Sequence, residues 1–185
     1  MSTPPKPDES TRTPTIGEFE MFYHNYYSAI SRYVARRVPQ DSHDEVVATT
    51  FVAAWRKFAI VKSPSLPWLY RIASFEVSHE RRRLGRHAQV VELNDLQLID
   101  TAPMDEVFDA SKAFHQLSES DAELLRLIYW ENLSRSEIAE VLGLSVNAVN
   151  VRYHRSLDRL LGAINRASSN EGTNHLNQPS RKEIQ

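Results

Sequence analysis

The segment Ser134–Leu157, SRSEIAEVLGLSVNAVNVRYHRSL, constrains the fold more than any other stretch of the chain. Ser134 and Glu137 have the spacing of a capping box, in which hydroxyl and carboxylate satisfy the orphan amide groups of a first helical turn. Leu133 and Ile138 add the hydrophobic staple that fixes how the chain enters that helix. Gly143 falls where a helix ends in a left-handed residue, a conformation that costs glycine least. Ser145 then caps a second helix, stapled by Leu144 and Val149 and expected to reach about Ile164. A short helix, a glycine turn and a longer helix make a helix-turn-helix. Ile138, Ala139, Leu142, Val149 and Leu157 are its packing positions, with Ala139 small where the second helix crosses close. The capped start of that helix offers free N–H groups and a positive dipole end, both suited to phosphate. Val146, Asn147, Asn150 and Val151 are predicted to project toward a major groove, with Arg152 and Arg155 behind them. Asparagine can pair with adenine edges, and arginine with guanine edges or phosphates.

Helical periodicity organises the rest. From Glu18 to Val38 the residues Phe19, Phe22, Tyr23, Tyr26, Ile30, Tyr33 and Val34 recur at spacings of three and four, and Pro39 stops the run. A second helix is expected from about Ser42 to Phe58, with Val47, Thr50, Phe51, Ala54, Trp55 and Phe58 on one face. Ser63-Pro64-Ser65 reads as a loop. Pro67 suits the first turn of a third helix, running through Trp68, Leu69, Ile72 and Val77 to Arg81–Arg83. Ser118, with Asp121 three residues on, opens a further helix in a capping-box-like arrangement, its core face Leu124, Leu125 and Ile128.

The expected architecture is all-α, two small helical domains joined by a flexible linker. Residues 1–15 hold four prolines and read as a disordered tail. Residues 16–86 form the first domain, 87–113 an acidic linker, 114–166 the second domain and 167–185 a polar disordered tail. Charge supports this division. Residues 16–86 carry 11 Lys/Arg against 7 Asp/Glu, whereas 87–113 carry one Lys against 6 acids. Residues 145–166 are basic again, with four Arg and one Asp.

Several classes of protein are excluded. With no cysteine, disulfides and thiolate metal sites are absent. No apolar run approaches the roughly 20 residues of a transmembrane helix, so no membrane insertion and a cytoplasmic location are expected. His79-Glu80 fails the H-E-x-x-H zinc pattern because Arg83 stands where the second histidine should be. The seven histidines show no metal-ligand spacing, and no glycine-rich phosphate loop or nucleophile elbow is present. The chain is not expected to be an enzyme or to hold a cofactor.

The stretch LSESDAELLRLIYWENLSRSEIAEVLGLSVNAVNVRYHRSLDRL resembles region 4 of the extracytoplasmic-function sigma factors, members of the sigma-70 family. In the N-terminal half FYHNYYSAISRYVARRV, DEVVATTFVAAWRKF and PWLYRIASFEVSHERRR resemble region 2 of the same family, in the same order. The resemblance implies a protein that binds core RNA polymerase and directs promoter-specific initiation. Region 2 would dock on the clamp helices of the polymerase β′ subunit and melt the −10 element; region 4 would bind the −35 element and the β flap. On this chain the polymerase contacts would be Asp44, Glu45, Ala48, Thr49 and Arg56. The −10 contacts would be Lys62, Ser63, Trp68, Arg71, Phe75, His79, Arg82 and Arg83, since single-stranded bases need stacking surfaces and a basic track. The −35 contacts would be Arg135, Ser145, Val146, Asn147, Asn150, Val151, Arg152 and Arg155.

Departures from the family pattern are visible. Many members carry Gln and an acid where this chain has Ala48 and Thr49. They often have Asn near Phe75, Asp near His79, and Lys-Ser where Asn150-Val151 stand here. The last exchange removes one phosphate-binding charge. The resemblance also implies an anti-sigma factor that clamps both domains. The acids Glu92, Asp95, Asp100, Asp105 and Glu106 are read as a nucleic-acid mimic near the RNA-exit path. The competing reading is a conventional helix-turn-helix regulator with an N-terminal sensing or dimerisation domain, which would bind a palindromic duplex without polymerase.

Overall fold

A computed structural model describes residues 15–85 and 112–174. Outside them fall the expected tail up to residue 14, the acidic connector except for Lys112 and Ala113, and the C-terminal tail from 175 onward. Glu92, Asp95, Asp100, Asp105 and Glu106 lie outside as well. Every regular element among the described residues is a helix, and the chain divides into two compact units.

The first unit comprises α1 (Ile16–Ala35), α2 (Gln40–Phe58) and α3 (Leu66–Leu84). Thr15 caps α1 in a full capping box: its hydroxyl accepts from the Glu18 amide, while its own amide donates to the Glu18 carboxylate at 2.6 Å. This box moves the helix start two residues ahead of the expected Glu18 and takes Thr15 out of the expected tail. Apolar faces of the three helices converge on a core of Phe22, Ile30, Tyr33, Val34, Val47, Phe51, Ala54, Leu69, Ala73 and Val77. Its N-terminal end is aromatic. The Phe58 ring meets Phe19 and Phe22 edge-on, each at 5.1 Å, and Trp68 meets Phe22 at 6.0 Å. Such edge-to-face pairs contribute beyond their buried area.

The far end of the unit is closed by polar groups. Glu80, only 5% exposed, accepts from the Ser42 hydroxyl at the start of α2 and takes two bonds from the Arg83 guanidinium at 2.6 and 2.7 Å. Those bonds hold the Glu80 carboxyl below its ordinary range, against the opposing effect of burial. Arg81 donates to the Arg37 carbonyl at 3.0 Å, joining α3 to the turn after α1. The Arg37 side chain is itself buried over the Tyr33 ring.

The second unit comprises α4 (Glu119–Tyr129), α5 (Arg135–Leu142) and α6 (Val146–Asn174), preceded by a helical turn at 112–115. Leu124, Leu125, Leu127, Ile138, Val149 and Ala163 make its core. The Ser134–Glu137 capping box is complete. Gly143 sits at φ 66°, and the Leu144 amide returns to the Ala139 carbonyl at 2.9 Å, closing α5 as the glycine required. Two expectations are corrected. The helical backbone of α6 continues to Asn174 rather than ending near Ile164, because no proline stands between Ile164 and Asn174 to stop it. At Ser118 the hydroxyl caps the Asp121 amide as expected, but the Asp121 carboxylate does not complete a reciprocal box.

That carboxylate instead reaches across to α6. It accepts from the Ser156 hydroxyl at 2.7 Å and the Arg159 guanidinium at 2.6 Å, and from Ser118 at 2.8 Å. Burial of Asp121 raises its pKa, but the hydrogen bonds from Ser156, Ser118 and Arg159 outweigh it and leave the group below its ordinary range. One aspartate thus pins the start of α4 to the middle of α6.

Candidate nucleic-acid interface

Three outward faces carry the residues singled out in the sequence. On α3, Arg71, Phe75, His79 and Arg82 are exposed and Trp68 is half-buried. Their spacings of three and four place them on one helix face. Phe75 is 62% exposed, an unusual position for a phenylalanine, on the face opposite the core residues Leu69, Ile72, Ala73 and Val77. Ser65 caps this helix by accepting from the Trp68 amide, and Pro67 occupies its first turn, so the face begins at a fixed point. Lys62 and Ser63 are exposed in the loop before it. The result is a row of ring faces and cations of the kind that stacks bases and tracks a phosphate backbone. Arg83 stands apart from the row, its guanidinium held by Glu80, and Arg82 donates back to the Ser78 carbonyl.

On α2, Asp44, Glu45, Ala48, Thr49 and Arg56 are all exposed. Asp44 is hydrogen-bonded to His43 Nδ1 at 2.7 Å, and the other ring nitrogen of His43 lies 3.1 Å from the Ser31 carbonyl on α1. Thr49 turns its hydroxyl back onto the Val46 carbonyl at 3.1 Å. The same face includes Val52, 49% exposed, which sequence reasoning missed, and Trp55, which periodicity placed on the core face. Trp55 is 45% exposed and rests one edge of its contact on Phe19 at 4.9 Å. The centre of this surface is therefore apolar, with charges at its ends. Val52 was legible in principle, lying four residues beyond Ala48.

On α6, Ser145 caps the helix by accepting from the Ala148 amide at 3.1 Å. Val146, Asn147, Asn150, Val151 and Arg155 are exposed along one stripe, and Arg152 is half-buried behind it, 4.0 Å from Asp121. His154, which sequence reasoning passed over, belongs to the same stripe, four residues after Asn150. Beside it a groove between α4 and α6 is lined by Ser118, Ser120, Leu144, Val151, Arg152 and Arg155. Arg135, the first residue of α5, sits over the Tyr153 ring with 3.7 Å from guanidinium carbon to ring centre. The Tyr153 hydroxyl is 3.0 Å from that of Tyr129. Their shared hydrogen bond lowers the Tyr153 pKa and raises that of Tyr129.

Among the described residues no cluster of His, Asp and Glu is arranged to hold a metal, and no helix is long and apolar enough to cross a membrane.

The chain is similar to known proteins in both sequence and fold. Residues 109–160 match the family model for sigma-70, region 4. The RNA polymerase sigma factor NccH of Alcaligenes xylosoxydans xylosoxydans is 29% identical over 136 residues, which span 66% of this chain and 73% of that protein. The solved structure of CnrH in complex with the cytosolic domain of CnrY aligns with a TM-score of 0.60 at 25% identity, covering 82% of this chain and 90% of CnrH. The sigma factor RpoE of Bartonella quintana, solved with the anti-sigma factor NepR, has the same fold, with a TM-score of 0.61 at 20% identity over 81% of this chain and 98% of that one. The helix-turn-helix of the second unit is thus a sigma-70 region 4 domain, and the chain as a whole is similar to sigma factors. The likeness to NccH and CnrH along most of the described length supports the reading of this chain as an alternative sigma factor.

Proposed function

We propose that the three exposed faces divide the work of initiation among them. The α2 face, from Asp44 and Glu45 through Ala48, Thr49 and Val52 to Trp55 and Arg56, docks on the β′ clamp helices of core RNA polymerase. The α3 face, Trp68, Arg71, Phe75, His79 and Arg82 with Lys62 and Ser63, holds the unpaired −10 strand. The α6 stripe with Ser145 and Arg135 reads the −35 duplex, and the same unit meets the β flap. Arg83 adds charge near the −10 strand while remaining tied to Glu80. The protein acts by binding and catalyses no reaction of its own, and it works in the cytoplasm, where polymerase and DNA are. CnrH and RpoE were each solved with a partner protein, CnrY for the first and the anti-sigma factor NepR for the second. An anti-sigma factor is accordingly proposed for this chain. The domain limits proposed are 16–86 for the first module and 114–166 for the second.

The observation that carries this reading is the row on α3. An exposed phenylalanine flanked by arginines and histidine has no structural purpose in the module's own core, but it suits a base and its phosphate. The test is run-off transcription with purified core polymerase on genomic promoter fragments, with and without the protein. Specific transcripts should appear only when it is added. If none appear and the protein does not associate with core enzyme, the assignment of the first module is wrong.

A further inference from the structure

The arginines of the second unit are not equivalent. Arg126 is buried and paired with Glu119, and Arg159 is committed to Asp121. Arg135 makes no ion pair among the described residues. One of its terminal nitrogens is buried with no hydrogen-bond acceptor, and its flat face is covered by Tyr153. Guanidinium stacking on a ring leaves in-plane N–H groups able to pair with a phosphate, and Arg135, half-buried as a whole, keeps part of its side chain exposed for that. Tyr153 is not free to turn away, since its hydroxyl is hydrogen-bonded to Tyr129 on α4. It also borders the recognition stripe, one residue before His154 and three after Asn150. The backbone of Arg135 is fixed in turn by the Ser134–Glu137 capping box.

We propose that Tyr153, braced by Tyr129, is a positioning residue that holds Arg135 preformed as a phosphate clamp on the promoter duplex beside the recognition helix. The inference rests on the promoter-binding reading of this unit. Its physical content is preorganisation: a free arginine loses rotamer freedom on gripping a phosphate, whereas a stacked one has already lost it. Arg135 and Tyr153 therefore have separable signatures. Removing the charge deletes a phosphate contact and changes the salt dependence of binding. Removing the ring leaves the contact available but harder to form, so affinity falls without a change in slope.

The experiment uses holoenzyme reconstituted from the full chain and core polymerase, on a fluorescent promoter fragment found by run-off. Affinity is measured across a salt series. Arg135→Gln should lower the slope of log affinity against log salt by about one. Tyr153→Leu should weaken binding roughly two- to fivefold at unchanged slope. Tyr153→Phe, which keeps the stacking ring but loses the brace to Tyr129, should fall between the unmodified protein and Tyr153→Leu, with thermal melting confirming that each variant is folded. In the Arg135→Gln background Tyr153→Leu should cost nothing further, because the side chain it positions is gone. Equal losses from Tyr153→Leu with and without Arg135 would show a purely structural role and overturn the proposal. An unchanged slope for Arg135→Gln would overturn it as well. The unmodified protein separates this failure from a wider one: if it directs transcription while Arg135→Gln changes nothing, only the clamp is wrong; if it directs none, the promoter reading fails and takes the clamp with it.

Discussion

Asp121 shows how one side chain can decide the geometry of a recognition surface. Its carboxylate joins Ser118, Ser156 and Arg159, so the exposed stripe of α6 keeps a set orientation to α4. Asp121→Asn retains size but loses the charge that Arg159 and two hydroxyls address, and should destabilise the second unit by about 1–3 kcal/mol. The sign of the pH dependence follows from the depressed pKa. The contribution is complete above the ordinary carboxylate range and is lost as pH falls through the folded value. Thermal melts of the two proteins should therefore differ most at neutral pH and converge in acid. Glu80, also depressed, has the same sign in the first unit, and Glu80→Gln should behave alike there. Neither role was readable from sequence. Spacing pointed to Asp121 as a capping residue, and only the approach of α6, 35 residues away, turned it elsewhere.

Helix boundaries show which local signals are strong enough to act alone. The Ser134 box, Gly143, Ser145 and Pro67 all stand where their chemistry required, since each satisfies or terminates backbone hydrogen bonds within a few residues of itself. Gly143→Ala should cost about 1 kcal/mol, measured by chemical denaturation, because φ 66° places a Cβ against its own carbonyl. The Thr15 box obeys the same rule and was overlooked only because it borders a proline-rich tail. Polarity after Ile164 was a poor stop signal, for a run of polar residues is compatible with helical backbone. On α3 the exposed row predicts a dissociation of effects. Phe75→Ala should leave stability within about 0.5 kcal/mol, as for other surface substitutions. It should nevertheless reduce promoter opening, read by permanganate reactivity of unpaired thymines. Undiminished opening would remove Phe75 from the proposed −10 surface.

Across the whole chain, each unit has its own apolar core and its own buried carboxylate, so the two should lose stability independently. Trp55 and Trp68 report on the first unit and Trp130 on the second. In the full chain, Glu80→Gln should shift unfolding followed in a Trp130→Phe background, while Asp121→Asn should leave that signal unmoved. Much of this organisation belongs to the sequence by itself: helical periods of three and four, caps, the glycine turn and the alternation of basic and acidic blocks are local properties of neighbouring residues. From them come the all-α class and the helix-turn-helix, and the faces of α3 and α6 follow from period alone. The tertiary structure alone decided which members of those faces stay available. Arg83 is drawn to Glu80, Arg135 is laid on Tyr153, and Trp55 is left half in solvent above Phe19. The reason is physical: helical spacing states which direction a side chain leaves its axis, whereas pairing and exposure depend on what a neighbouring helix brings to the same place.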